Sequence, residues 1–66
     1  MNHNIAQGKW RQLLGNAKQV WGDLTDDDLK KAEGGEEKLR GILQEKYGRS
    51  QQEAEKQIDD FVKRFH

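Results

Sequence analysis

The spacing of the apolar residues constrains this chain more than any other feature. Trp10, Leu13, Leu14, Ala17, Val20, Trp21 and Leu24 recur three and four positions apart, which lines them along one side of an α-helix. The same spacing returns in Leu39, Ile42, Leu43 and Tyr47, and again in Ala54, Ile58, Phe61, Val62 and Phe65. Between the stripes lie residues suited to helix ends. Gly22 is placed to take the left-handed conformation past a helix terminus, and Gly48 does the same for the second stripe. Thr25 stands where an N-cap accepts a backbone N–H, and Asp26, Asp27 and Asp28 suit the positive end of the helix it opens. That helix is short, with Leu29 and Ala32 as its apolar residues, and Gly34-Gly35 interrupts it. Ser50 and Glu53 have capping-box spacing, and Lys63 and Arg64 suit the negative end of the last helix.

These signals predict an all-α fold: a small four-helix bundle made of two helix-turn-helix hairpins, with helices over about 4–21, 26–33, 36–47 and 51–65. A chain of 66 residues holds a single domain, here 1–66, near the lower size limit for independent folding. Leu, Ile, Val and Phe number only 13 of those 66, so the bundle is expected to be of low stability, raised by any self-association.

The glycines add a second regularity. Gly8, Gly15 and Gly22 recur every seven residues, as do Gly34, Gly41 and Gly48, at an offset of 26. The offset also aligns Leu13 with Leu39 and Trp21-Gly22 with Tyr47-Gly48, the pattern of an internal duplication. A glycine inside a helix costs about 1 kcal/mol relative to alanine. Gly8, Gly15 and Gly41 therefore imply close helix approach, loose helices, or a chain built to interconvert between folded and extended states.

Several function classes drop out. There is no Cys, hence no disulfide scaffold, zinc-thiolate site or thiol nucleophile. No apolar run approaches the roughly 20 residues that span a bilayer, and no signal-peptide core is visible, so the expected setting is intracellular with no membrane partner. His3 and His66 fall at opposite, frayed termini, too far apart to share a site. Thr25 and Ser50 are accounted for by capping. The acidic run lacks the alternating ligands and central glycine of a calcium loop. Neither a metal nor another cofactor is expected, nor catalytic residues.

Two surfaces remain as candidates. Trp10, Leu14, Trp21 and Phe61 offer an apolar partner face, because a chain this small is not expected to bury both indoles completely. Alternatively, the first and third helices are each net basic. Lys9, Arg11, Lys18, Arg40, Lys46 and Arg49 interleave with aromatics in the manner of a nucleic-acid surface. Against that, the 12 basic and 12 acidic residues balance, and pairing within the chain would cancel the field.

The run Gly8-Lys9-Trp10, Gln12, Gly15 and Lys18, followed by Trp21-Gly22-Asp23-Leu24-Thr25-Asp26-Asp27-Asp28-Leu29, resembles the CsbD-like family of small bacterial stress-response proteins. Gly34, Leu39, Gly41, Gln44-Glu45-Lys46-Tyr47-Gly48 and Ala54-Glu55-Lys56 extend the resemblance over nearly the whole chain. It implies a compact helical bundle made in the bacterial cytoplasm under general stress, with no catalytic residues to carry over. The mean hydropathy of −1.22 also resembles that of hydrophilins, which protect other macromolecules during water loss. The expectation is a non-enzymatic stress-response protein associating with client proteins or with itself through amphipathic helix faces, with weak nucleic-acid binding as the alternative.

Overall fold

Every regular element in the computed structural model, which describes residues 3–65, is an α-helix. The elements are α1 (Gln7–Leu14), α2 (Ala17–Val20), α3 (Asp26–Ala32), α4 (Glu36–Tyr47) and α5 (Gln51–Phe65). The all-α class and the four-helix plan hold, with one change of detail. The first helix, expected over 4–21, begins at Gln7 and is broken at Gly15-Asn16 into α1 and α2. There the Asn16 N–H donates to the Leu13 carbonyl at 2.9 Å, a tighter turn than the α-helical one, and Asn16 sits at φ −99°, ψ −3°. Gly and Asn are weak helix formers, so two in succession give way where packing demands a bend.

The bend redistributes the first apolar stripe. Trp10, Leu13, Leu14 and Ala17 remain buried, but Val20, expected on the same face, is 38% exposed. Gly22 is also corrected. The left-handed glycine cap expected there is absent, since among the described residues only Gly35 and Gly48 have positive φ. The chain instead leaves α2 through Trp21 at φ −122°, ψ 87°, whose indole is locked into the core.

The other helix ends follow their local signals. The Thr25 hydroxyl accepts the Asp28 N–H at 3.1 Å while the Asp28 carboxylate accepts the Thr25 N–H at 3.0 Å, a reciprocal capping box. Ser50 Oγ accepts the Glu53 N–H at 3.1 Å. Gly48, at φ 63°, ends α4 in the left-handed conformation, as its position in the sequence implies.

Helix α4 is the centre of the packing: the most extensive backbone contacts between helices are α3 with α4 and α4 with α5. Its Leu39 and Leu43, one turn apart, are fully buried together with Ile58 of α5. Helix α1 joins this group through Trp10, Leu13 and Leu14. The Trp10 indole N–H donates at 2.7 Å to the carbonyl of Ala32, in the last turn of α3, where carbonyls lack helical partners. Trp21 completes the other side, its ring 5.0 Å from Phe61 in a tilted arrangement and its N–H 3.1 Å from Gln57 Oε1.

The matched glycines of the two halves do not occupy matching conformations. Gly15 lies at a helix break while Gly41 lies inside continuous α4, and Gly22 lacks the left-handed geometry of Gly48. Nor do Gly8 and Gly41 permit close helix approach, because a Cβ added at either meets nothing within 4 Å. The steric explanation for those two glycines is thereby removed. Gly41→Ala should therefore stabilise the fold by about 0.5–1 kcal/mol in urea melts. Leu43→Ala should lose about 2–5 kcal/mol, enough to leave a domain of this size largely unfolded.

Candidate functional site

The apolar face read from the sequence is interior. Trp10, Leu14, Trp21 and Phe61 are each 5% exposed or less, so the expectation of incompletely covered indoles is overturned. Both rings find shelter because each indole N–H has a hydrogen-bond acceptor inside the fold, which removes the cost of burying it. Val20 is the one large hydrophobic residue left exposed among those described. The four candidate residues therefore meet a partner only if helices separate.

The six basic residues are scattered by the fold rather than gathered. Arg11 Nε lies 3.2 Å from Glu33, and Arg40 Nη1 lies 3.0 Å from Glu55 across the α4–α5 interface. Arg49 approaches Glu53 at 3.7 Å along its own segment. Lys18 and Lys46 converge from α2 and α4 on the acidic start of α3, pairing with Asp26 and Asp28 respectively at 2.5 Å. Lys46 also donates to the Asp23 carbonyl at 2.9 Å. Lys9 alone of the six stands exposed with no such pair among the described residues. A phosphate would have to displace these internal partners, which is the field cancellation that charge balance implied.

The acidic run thus does more than complement a helix dipole. At Asp28 the Lys46 hydrogen bond, followed by the Thr25 N–H, outweighs a small opposing effect of burial and holds the carboxyl down at about 2. Asp26 is lowered too, by its hydrogen bond to Lys18 and then by that cation's charge. The Tyr47 hydroxyl accepts the Asp23 N–H at 3.2 Å, so the 21–28 segment is fastened to α4 at three points.

His3, expected in a frayed terminus without a role, is tied down by the structure. Its Nδ1 lies 2.6 Å from Glu36 Oε1, its Nε2 3.4 Å from Asp59 Oδ1, and its backbone N–H donates to Glu36 Oε2 at 3.2 Å. No periodicity announces a contact between residues 33 positions apart. His66 lies outside the described residues. Among those described, no three His, Cys, Asp or Glu side chains are grouped to hold a metal. A groove of about 610 Å³ between α3 and α4 has Gly41 and Ile42 among its lining residues, with Lys31, Lys38, Glu37 and Glu45 supplying both signs of charge. No described helix is long and apolar enough to cross a membrane.

Comparison with known proteins adds a consistent picture. The model of the CsbD-like family matches residues 4–56. The chain is 53% identical over 64 residues to a UPF0337 protein of Pseudomonas aeruginosa, covering 97% of this chain and 98% of that one. A UPF0337 protein of Bordetella pertussis is 47% identical over 97% of each chain. The UPF0337 protein YjbJ of Escherichia coli is 45% identical over 97% of this chain and 93% of its own. No solved structure matches the chain.

The Asp28 geometry sets the acid response of the fold. A carboxyl whose native titration is depressed from 3.8 to about 2 contributes stability that is present above its ordinary range and lost as pH falls through about 2. Asp28→Asn keeps an acceptor for the Thr25 N–H but removes the charge. Thermal melts between about pH 4 and about pH 2 should therefore fall less steeply in Asp28→Asn than in the wild-type chain.

Proposed function

The chain belongs to the CsbD-like family, and from that premise we propose a non-enzymatic, cytoplasmic stress-response protein that protects client macromolecules by opening its bundle. The carrying observation is the placement of its glycines. Gly8 and Gly41 sit at exposed helical positions where a side chain would meet nothing, so they lower helix stability without serving the packing. At the same time most of the apolar complement, Trp10, Leu14, Trp21 and Phe61 included, is stored in one small core. A bundle weakened in this way releases amphipathic helices under heat or water loss, and α5 carries four of the buried core residues, more than any other helix. Partners are then unfolding proteins or other copies of the chain, held by apolar contact and kept soluble by the charged outer faces.

Nucleic-acid binding through Lys9, Arg11, Lys18, Arg40, Lys46 and Arg49 is the weaker reading. Five of these six already neutralise acids of the same chain, and the net charge is zero. Counterion release, which drives phosphate binding, needs cations that are not already paired.

In a thermal-aggregation assay on a heat-labile enzyme, the wild-type protein should suppress light scattering more than an equal mass of inert protein. The more stable Gly8→Ala/Gly41→Ala variant should suppress it less. Equal suppression by the two would discard opening as the mechanism, and no suppression by either would discard protection. Micromolar protein should leave DNA mobility unchanged at low salt; a shift abolished by neutralising the six basic residues would favour the alternative.

A further inference from the structure

The segment ahead of α1 makes contacts that the helices do not require for their own packing. Ile5 packs against the core, and His3, Ile5 and Trp10 border a cleft of about 390 Å³ with the Gly34-Gly35 turn. Glu33 at the end of α3 and Glu36 at the start of α4 line the same cleft. Asp59 reaches His3 from α5. The basic residues of the region are already engaged, Arg11 by Glu33 and Arg40 by Glu55.

Both ring nitrogens of His3 therefore face carboxylates, Nδ1 toward Glu36 and Nε2 toward Asp59. A neutral imidazole has one N–H and one lone pair, so it can donate to only one of them and turns its lone pair on the other. The imidazolium donates to Glu36 and sets a positive charge, with no lone pair, 3.4 Å from Asp59. From this geometry we infer that residues 3–6 are a proton-dependent strap, closed over the Trp10 end of the core while His3 is charged and loosened when it loses its proton. The backbone hydrogen bond from His3 to Glu36 survives in either state, so the strap slackens rather than detaches. Loosening uncovers Ile5 and the Trp10 edge while the Trp21–Phe61 side of the core stays shut. The strap is a local device, and it stands whether or not the protein protects clients.

The two indoles provide separate reporters, because Trp10 bonds to Ala32 and Trp21 to Gln57. Exchange of each indole N–H would be followed by NMR at about pH 5.5 and about pH 8, the span over which histidine changes charge, and expressed relative to intrinsic exchange. In the full-length wild-type chain, Trp10 protection should fall roughly two- to fivefold across that span, the effect of a partly exposed ion pair, with Trp21 unchanged. His3→Gln and Glu36→Gln should each abolish the fall, and comparison with His3→Gln separates His3 from His66. Two results would overturn the strap: the same fall in His3→Gln as in wild type, or equal loss of protection at both indoles, which would mark whole-bundle opening. Constant Trp10 protection in the wild-type chain would overturn it as well.

Discussion

Leu39 and Leu43 of α4 and Ile58 of α5 are completely shielded from solvent, and every other element is placed by the need to cover them. A chain with so few apolar residues cannot build two cores, so its helices converge on a single one. Helix α4 lies in the middle because it packs against both α3 and α5. The N-terminal third adds Trp10, Leu13, Leu14, Ala17 and Trp21 to that core. It uses two indoles as anchors, each with its N–H satisfied inside the fold.

Charge does the remaining positioning. Lys18 and Lys46 approach the start of α3 from different helices and meet Asp26 and Asp28, while Arg40 links α4 to α5 through Glu55. Each exposed pair is individually weak. Their collective effect is to leave a surface with balanced charge and no concentrated field, which disfavours a phosphate-binding role.

The glycines fall into two kinds. Gly48 is required by its left-handed conformation, and Gly35 by its positive φ at the entry to α4. Gly8 and Gly41 answer to no such demand, and their presence weakens helices that packing alone must then hold. The strap at His3 works on the same balance from another direction, since it adds a contact to the end of the core nearest Trp10 that depends on one proton.

What the sequence determined by itself was local. Three-four spacing of apolar residues marked the helices and most of the core, because a helix repeats every 3.6 residues wherever it sits. Thr25, Ser50 and Gly48 marked their helix ends, because a cap acts within one turn. Tertiary structure decided the rest. The break at Gly15-Asn16 and the outward turn of Val20 depend on how the first helix must bend to bring Trp10 and Trp21 to opposite neighbours, α3 and α5. Gly22 lost its expected role because burial of the preceding indole set the backbone there. The pairing of His3 with Glu36, and of Trp21 with Gln57 across 36 residues, has no local signature. Such contacts arise only when separately formed helices are brought together by the one core they share.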